Sequence, residues 1–300
     1  MQNKTARLFL IPQKVYILRP KFTTRLFFSI LVAMRNIAIV TGASSGMGVH
    51  FAKGLAEEKA AGLLELDELW IIARRKDRLE NLAHEITGVN VRSVELDLDG
   101  SRGALAFRSI LEKEAGEQED ELVIKVLVNN AGFGTYGEFS ATDTAREMQM
   151  IDVDCTALTG LTGFSLPYMR KGSRIINVAS LASFMPLGNF AVYGACKAYV
   201  LSFSVALAAE LRHKGIWVTA LCPGPVSTEF AEVASRGARK EVRHGLSAKK
   251  TADRCLKDSR RGKLYSMYAL KWRLKACATR LIGRYAGAWF TYRFCKRPSN

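Results

Sequence analysis

The stretch Thr41-Gly42-Ala43-Ser44-Ser45-Gly46-Met47-Gly48 decides the fold. Residues 36–40 before it form a short apolar run, typical of a buried parallel strand, and residues 49–61 after it have helical periodicity. A glycine-rich turn between a strand and a helix brings backbone amides and the positive end of the helix dipole to one point, where they favour a phosphate. The stretch therefore predicts a dinucleotide-binding turn, although its spacing, G-x-x-x-G-x-G, differs from the commoner G-x-G-x-x-G.

Each glycine of this turn has its own predicted task. Gly42 permits the tight turn, Gly46 lets the backbone approach a pyrophosphate, and Gly48 allows close packing of the helix on the strand. The first part of the predicted cofactor site is therefore Gly42, Ser44, Ser45, Gly46, Met47 and Gly48.

Beyond the turn, strands and helices alternate along the chain. The predicted strands are residues 36–40, 69–73, 91–96, 124–128, 174–179, 216–221 and 264–268. The predicted helices are residues 49–61, 76–86, 102–117, 142–170, 191–214, 248–260 and 269–285. This alternation predicts an α/β fold: a single-domain, Rossmann-like, doubly wound parallel sheet with helices on both faces. We expect a basic and apolar extension over 1–33, a dinucleotide-binding catalytic domain over 34–268, and a basic amphipathic C-terminal helix and tail over 269–300.

The net charge of +16 comes from the two ends of the chain. Residues 1–33 hold six basic and no acidic residues, and residues 234–300 hold nineteen basic and three acidic residues. The body between them is mildly acidic, and no recognised nucleic-acid-binding motif accompanies the charge, so no nucleic-acid partner is expected. Met34 looks like an in-frame start, and residues 1–33 are expected to be an upstream extension. The apolar run over 26–34 is too short to span a bilayer.

The end of the second predicted strand separates NADP enzymes from NAD enzymes. NAD enzymes place an acidic residue there for the ribose 2′-hydroxyl, whereas NADP enzymes place an arginine near the 2′-phosphate. Here the strand ends in Ala73-Arg74-Arg75, and an arginine can bind a phosphate in a bidentate manner. Arg74 and Arg75 therefore favour NADP(H) over NAD; solvated surface arginines are the alternative.

Tyr193 and Lys197 lie four residues apart on a predicted helix and so share one face. A phenol has a reference pKa of about 10, and a cation about 4 Å away would lower the pKa of Tyr193 by about three units, toward neutrality, where general acid–base catalysis works best. Ser180, at the end of the preceding strand, is placed to donate a hydrogen bond to the same substrate oxygen. An amphipathic surface pair is the alternative for Tyr193 and Lys197 taken alone.

In order and spacing, these features resemble the short-chain dehydrogenase/reductase family. The residues that carry the resemblance are 41–48, 129–132, Ser180, Tyr193-x-x-x-Lys197 and Pro223-Gly224; it covers residues 35–230 closely and 247–268 more loosely. It implies that Tyr193 is the catalytic acid–base, that Lys197 orients the ribose and lowers the pKa of Tyr193, and that Ser180 stabilises the substrate oxygen. It also implies an oxidoreductase that transfers a hydride between a nicotinamide and a ketone or secondary alcohol, and a homodimer or homotetramer.

The resemblance implies further cofactor contacts. They are Asp97 and Leu98 at the adenine, Asn129 and Ala131 beside the cofactor, and Pro223, Gly224, Val226 and Thr228 around the nicotinamide, together with Tyr193 and Lys197. One departure concerns the helix before the Ser180 strand, where the family usually has Asn and this chain has Asp154. Asp154 preserves the backbone carbonyl and stays a candidate catalytic residue, but its carboxylate would raise the pKa of Lys197. Catalysis is expected to be slowed and not abolished.

Apolar residues near Tyr193 predict a pocket for a bulky ketone or alcohol, such as a hydroxysteroid or a long-chain 3-oxoacyl compound. They are Phe133, Tyr136, Phe184, Met185, Pro186, Leu187, Phe190 and Val192. The basic segment 229–246, which is expected to cover the substrate, suits one that carries an acidic group. The alternative is that these residues only pack the lid, because apolar lining is the default for pockets.

The last predicted helix, 269–285, has apolar residues at helical spacing with basic residues around them. Such a helix lies on an anionic membrane surface, or it packs on its own domain or on a sister subunit; both alternatives stay open. The cysteines form no C-x-x-C pair and the histidines no cluster, so no metal site is predicted, and a cytoplasmic location, peripheral to a membrane in the first alternative, is expected. The alternative function is a membrane-surface protein that keeps the fold and uses the nucleotide as a redox sensor.

Overall fold

The computed structural model describes residues 33–117, 120–240, 242, 245–295 and 297–299. These residues belong to one unit, Val32–Asn300. The extension predicted over 1–33 lies outside the described residues, apart from Ala33, and the three predicted regions stay predictions.

A parallel sheet forms the centre of the described structure. Its strands are β1 (Met34–Thr41), β2 (Glu68–Ala73), β3 (Asn90–Glu95), β4 (Glu121–Asn129), β5 (Arg174–Val178), β6 (Trp217–Leu221) and β7 (Tyr265–Ser266). Their order across the sheet is β3-β2-β1-β4-β5-β6-β7. The direction of winding reverses between β1 and β4, which pair directly, and a crevice forms at the carboxyl ends of the strands at such a switch point. The predicted doubly wound fold is confirmed.

Helices cover both faces of this sheet. They are α1 (Gly46–Ala60), α2 (Lys76–Glu85), α3 (Ser101–Gly116), α4 (Thr144–Ile151), α5 (Leu158–Ser165), α6 (Ala191–Leu211), α7 (Phe230–Ala234), α8 (Ala248–Arg260), α9 (Leu270–Ala278) and α10 (Arg284–Phe294). One core is built around Phe51 and Leu55 of α1, and the other around Trp70, Phe107 and Leu111. Because both faces are covered, β5 is buried at every position, which is why the strands read as continuous apolar runs.

Two predicted helices are interrupted. The helix predicted over 142–170 consists of α4, a π-helical segment at Asp152–Ala157, and α5. The helix predicted over 269–285 is two helices, α9 and α10, with residues 279–283 between them. Thr279 hydrogen-bonds back to the carbonyl oxygen of Ala276 at 2.7 Å, a local bond that competes with helix continuation. A periodic apolar pattern alone does not reveal such a break.

One helical segment, Ala191–Lys214, is apolar and long enough to cross a membrane by composition and length alone. Its apolar character has a simpler origin, because Val200, Leu207 and Leu211 are buried in the cores beside the sheet. The same segment carries Tyr193 and Lys197, which face the cleft described next.

Candidate active site

A cleft of about 980 Å³ lies at the carboxyl ends of the strands. The residues immediately after each of β1 to β5, and those from Pro223 onward after β6, contribute to its wall, which is where a doubly wound sheet binds its ligand. The predicted site residues that line it are Gly42, Ser44, Ser45, Gly46, Met47, Arg74, Arg75, Asp97, Leu98, Ala131, Ser180, Tyr193, Lys197, Pro223, Gly224, Val226 and Thr228. Residues far apart in sequence thus meet in one crevice.

The glycine turn forms an open cradle in this cleft. Gly42 and Gly46 have φ angles of 64° and 56°, which favour glycine. A Cβ atom on Gly42 would lie 2.9 Å from the Cα of Ala131, and one on Gly46 would lie 3.2 Å from Thr228. Gly48 packs directly behind, on the carbonyl oxygen of Gly42. Side chains would fill this space at the N-terminus of α1, so the turn fits a pyrophosphate.

Thr41 ties the glycine turn to the loop after β4. Its Oγ1 accepts hydrogen bonds from the backbone N–H groups of Asn130, at 2.9 Å, and Ala131, at 3.0 Å. The side-chain Nδ2 of Asn130 donates to the carbonyl oxygen of Thr41 at 2.9 Å. The two loops that face each other across the switch point therefore form one hydrogen-bonded unit.

The prediction that Asn129 lies beside the cofactor is wrong for its side chain. Asn129 is buried below the cleft, where its Nδ2 donates to Thr162 Oγ1 at 2.9 Å and to Asn177 Oδ1 at 2.8 Å. Its neighbour Asn130 lines the cleft instead. Successive residues of a strand point to opposite sides, so an error of one position exchanges the core side for the ligand side.

At the adenine end of the cleft, the two predicted arginines have different surroundings. Arg75 donates to Ser44 Oγ from Nη2 at 3.0 Å and from Nε at 3.2 Å. Arg74 lies 3.8 Å from Asp97, and both of these side chains are largely exposed. Arg75 is therefore the arginine that is fixed at the glycine turn.

A carboxylate crosses the cleft to Arg75. Glu229 lies directly after Thr228, and its Oε2 is 3.1 Å from Arg75 Nη1, while its Oε1 is 2.7 Å from Arg78 Nη1. Arg78 lowers the pKa of Glu229 most, followed by Arg75, while partial burial opposes them. The sequence analysis missed Glu229 and Arg78. A signal was present in the sequence, because Arg75 and Arg78 are three residues apart at the start of α2 and so lie near each other.

The predicted Ser, Tyr and Lys side chains meet at the centre of the cleft. Ser180, Tyr193 and Lys197 all line the cleft, and the Ser180 side chain acts to lower the pKa of the Tyr193 hydroxyl. Lys197 Nζ lies 5.6 Å from the centre of the Tyr193 ring and donates to the carbonyl oxygen of Val178 at 3.1 Å. The turn of α6 between Tyr193 and Lys197 and the end of β5 hold these groups together.

Asp154 forms a buried ion pair with Lys197. Its Oδ2 lies 2.9 Å from Lys197 Nζ, and its Oδ1 accepts from the backbone N–H of Phe133 at 3.1 Å. Asp154 is 1% exposed and Lys197 is 5% exposed. Burial alone would lower the pKa of Lys197, but the charges of Asp154 and Tyr193 outweigh burial and the pKa is raised. Lys197 therefore stays protonated, while burial raises the pKa of Asp154 and the charge of Lys197 opposes that rise.

The expectation that Lys197 brings the pKa of Tyr193 toward neutrality is not met in this structure. Burial is the largest influence and raises the pKa of Tyr193, with Lys197 and then Ser180 opposing it. Phe190 stacks on the Tyr193 ring, with the ring centres 4.0 Å apart. Asp154 adds to the rise because it is a like charge for a phenolate. Burial, with a smaller contribution from the charge of Asp154, therefore outweighs the effect of Lys197 on the pKa of Tyr193.

Helices α9 and α10 form a roof over the cleft, an arrangement that the sequence analysis did not predict. Trp272 of α9 lies directly on Gly224, so that a Cβ atom there would fall against the indole ring. α10 is held by Thr291 Oγ1, which accepts from the Gly188 N–H at 2.9 Å, and by the carbonyl oxygen of Tyr292, which accepts from Asn189 Nδ2 at 3.0 Å.

The apolar stripe predicted for the last helix faces outward instead. Leu270, Leu274 and Leu281 are exposed, whereas Trp272 and Ala276 point inward. The inward face of α9 is formed by one aromatic and one small residue, and the outward leucines leave the two alternatives for this helix open.

The substrate end of the cleft is mainly aromatic and apolar. Of the residues predicted there, Phe133, Tyr136, Met185, Leu187 and Phe190 line the cleft, and Phe230 joins them. The predicted lining residues Phe184, Pro186 and Val192 do not. Phe230 belongs to the short helix α7, within the segment 229–246 that was predicted to have little periodicity.

Comparison with known proteins decides the family. The short chain dehydrogenase family model matches residues 36–238. The chain is a short-chain dehydrogenase. It is 35% identical over 209 residues to sulfoacetaldehyde reductase of Chromohalobacter salexigens, covering 68% of this chain and 78% of that protein.

Solved short-chain dehydrogenases share this fold. One from Sphingobium yanoikuyae in complex with NADPH has a TM-score of 0.68 at 28% identity and covers 82% of this chain and 93% of its own. The bulky-bulky ketone specific alcohol dehydrogenase of Comamonas testosteroni has a TM-score of 0.64 at 25% identity, covering 81% and 92%. A Burkholderia phymatum enzyme in complex with NAD has a TM-score of 0.68 at 21% identity, covering 89% and 97%. This short-chain dehydrogenase is thus an oxidoreductase that uses a nicotinamide nucleotide.

Proposed function

We propose that this short-chain dehydrogenase is an NADP(H)-dependent reductase of ketones, or dehydrogenase of secondary alcohols, with a bulky and largely apolar substrate. The observation that carries the proposal is that Ser180, Tyr193 and Lys197 meet in the wall of one cleft, with the buried charge of Lys197 beside the Tyr193 ring. These are the groups needed to move a proton at a substrate oxygen.

The cleft has a place for each part of the cofactor. Gly42 and Gly46 would hold the pyrophosphate, Arg75 the 2′-phosphate, and the loop from Pro223 to Thr228 the nicotinamide half. When bound there, the cofactor donates or accepts the hydride. Lys197 would contact the ribose from its position beneath Tyr193.

The protein itself handles the proton. In reduction, Tyr193 gives its hydroxyl proton to the substrate oxygen, and in oxidation the phenolate takes that proton back. Ser180 donates a hydrogen bond to the same oxygen and stabilises the charge that develops on it. Lys197 stabilises the phenolate that remains, and Asp154 keeps Lys197 protonated and fixed in position.

The preference for NADP(H) rests on Arg75. Its guanidinium lies at the glycine turn, hydrogen-bonded to Ser44, and the end of β2 carries no acidic residue that would repel a 2′-phosphate. Related enzymes have been solved with NADPH and with NAD, so the family alone leaves either cofactor open. The aromatic lining and the resemblance to a bulky-ketone alcohol dehydrogenase support a large apolar substrate.

The proposal is tested by NADPH oxidation with a panel of steroid ketones, aryl ketones and 3-oxoacyl thioesters. Tyr193→Phe is expected to lower turnover by about a hundredfold to ten-thousandfold, because the proton donor is lost. Tyr199→Phe is the matched control: it removes a hydroxyl from the same helix, one that contacts Thr159 at 2.7 Å outside the cleft. Turnover in Tyr193→Phe equal to that of Tyr199→Phe would refute the mechanism.

A further inference from the structure

Two arginines at the substrate end of the cleft have no part in the proposed reaction. Arg297 follows α10, and Arg239 follows α7, so they come from separate lengths of the chain. Both line the cleft, and both interact with the side chain of Tyr136. Arg75, the cofactor arginine, is fixed by Ser44 at the glycine turn.

Arg297 is held close to the reacting groups. Its Nη1 donates to the carbonyl oxygen of Gly188 at 2.8 Å, and its guanidinium carbon lies 5.4 Å from the centre of the Phe190 ring. Phe190 also stacks on Tyr193, with the ring centres 4.0 Å apart. A single aromatic ring therefore contacts both the guanidinium group and the phenol that moves the proton.

No carboxylate neutralises these two arginines within the described part of the chain. Neither Arg297 nor Arg239 forms an ion pair with a described acidic side chain, whereas Arg75 and Arg78 share Glu229. Burial raises the pKa of the Tyr136 hydroxyl, and the charges of Arg239 and Arg297 oppose that rise. Burial lowers the pKa of Arg297, and repulsion by Arg239 lowers it further. Arg297 is partly buried while Arg239 is exposed, and a partly buried charge is costly unless it is paired.

We propose that Arg297 and Arg239 form an anion-binding subsite, and that the substrate is a carbonyl compound or alcohol whose apolar body ends in an oxyanion such as a carboxylate. The inference rests on the proposed function. A planar guanidinium binds a carboxylate, sulfonate or phosphate through two parallel hydrogen bonds, which fixes orientation as well as affinity. The aromatic wall between this subsite and Tyr193 would hold the apolar body, with the carbonyl carbon at the far end.

The test uses oxo-decanoates, with the ketone moved along the chain, and their methyl esters as neutral partners. The wild type is expected to prefer the acid over its ester in kcat/KM for at least one position of the ketone. Arg297→Gln is expected to lower that preference by about tenfold to a hundredfold, because kcat/KM falls for the acid and does not fall for the ester. Arg293→Gln is the control, because that exposed arginine of α10 does not line the cleft. The KM for NADPH is expected to stay unchanged in both variants.

The outcomes separate this inference from the proposed function. In both of the following outcomes ketones are still turned over in a manner that depends on Tyr193. The wild type shows no preference for acids, or Arg297→Gln loses equal activity on the acid and on the ester. Either outcome would overturn the subsite and leave the proposed reaction standing. If Arg297→Gln fails to fold, Arg239→Gln takes its place, since that side chain is exposed.

A binding measurement covers the case in which none of these ketones is reduced. Octanoate is expected to raise the melting temperature of the wild type more than octan-1-ol does, and Arg297→Gln is expected to lose that difference. Equal shifts for the two ligands would overturn the subsite independently of activity.

Discussion

At the scale of single residues, Asp154 changes the electrostatics of the catalytic group. An amide at this position would leave the charge of Lys197 free to stabilise a Tyr193 phenolate, whereas the carboxylate 2.9 Å from Lys197 Nζ neutralises much of it. The buried pair also fixes Lys197 in place, because Phe133 and Val178 hold the two partners from either side. The carboxylate of Asp154 thus makes Tyr193 less acidic and holds Lys197 more rigidly.

Asp154→Asn is expected to lower the pKa of Tyr193, because it removes a like charge and frees that of Lys197. In alcohol oxidation Tyr193 acts as a base, so the rise of kcat with pH should move to lower pH. In ketone reduction Tyr193 acts as an acid, so the loss of activity at high pH should move in the same direction. The measurement is a pair of pH–rate profiles.

Asp152→Asn is the matched control for that experiment. It makes the same change of charge in the same π-helical segment, on an exposed side chain that lies beside Gly100. Its profile should coincide with that of the wild type. A large fall in activity of Asp154→Asn at every pH would contradict this account and show that the carboxylate itself is needed.

Most predictions for single residues depended on the spacing of residues along one helix or one turn, and that spacing sets their relative positions whatever the tertiary structure. Tyr193 and Lys197 share a helix face wherever that helix lies, and Gly42 and Gly46 share a turn. The prediction for the Asn129 side chain was wrong because the direction in which that side chain points depends on where β4 ends, to within one residue. The direction of the Tyr193 pKa was mispredicted because burial, which raises it most, and Asp154, which adds to the rise, arise only in the folded structure.

At the scale of elements, the segment after β6 is tied across the cleft to the start of α2. Glu229 forms this bridge to Arg75 and Arg78, next to Thr228, which packs on Gly46. A 2′-phosphate needs the same guanidinium of Arg75 that Glu229 occupies. Binding of NADP(H) therefore requires Glu229 to share or release Arg75, while NAD(H) makes no such demand.

Glu229→Gln is expected to lower the KM for NADPH by about twofold to fivefold and to leave the KM for NADH nearly unchanged, because an exposed ion pair of this kind contributes little more. Arg75→Gln should act in the opposite direction and raise the KM for NADPH by about tenfold or more. Both constants are read from initial rates with each cofactor.

Glu232→Gln serves as the control, since that exposed carboxylate lies on α7 itself and does not line the cleft. A lower affinity for NADPH in Glu229→Gln would mean that the carboxylate supports the cofactor site and does not compete with the phosphate.

The order of elements was predictable, and their interruptions were not. Seven parallel strands and the helices between them follow from alternating apolar periods, which local sequence encodes. At the break between α9 and α10 the Thr279 hydroxyl donates a hydrogen bond to the carbonyl oxygen of Ala276. The other interruption is the π-helical segment at Asp152–Ala157. Neither interruption changes the apolar periodicity of the sequence.

At the scale of the whole molecule, the outward face of the C-terminal helices is apolar and basic at once. Leu274, Leu281 and Tyr285 are 61%, 90% and 83% exposed. Residues 269–295 contain no acidic residue. This face suits an anionic lipid surface, which attracts basic residues and takes up apolar side chains. A sister subunit that covers the leucines is the competing partner.

The short-chain dehydrogenase is expected to sediment with vesicles of phosphatidylcholine and phosphatidylserine, and not with phosphatidylcholine alone. Leu281→Glu should abolish sedimentation, as should high salt, which screens the charges. Leu105→Glu is the control, because Leu105 is 52% exposed on α3. If Leu281→Glu instead converts a dimer to a monomer without any vesicle binding in the wild type, the face is a subunit interface.

The roof that α9 and α10 place over the cleft adds a part of the cleft wall that comes from beyond the span the family shares. The cradle and the proton-moving groups lie within residues 36–238, the span that the family shares, whereas Trp272 and Arg297 come from beyond it. Changes in this C-terminal segment alter the roof of the cleft and leave the residues that move the proton in place. Two enzymes with the same catalytic residues and different C-terminal segments would act on different substrates by the same mechanism. A chimera that exchanges only the tail becomes a rational route to a new specificity.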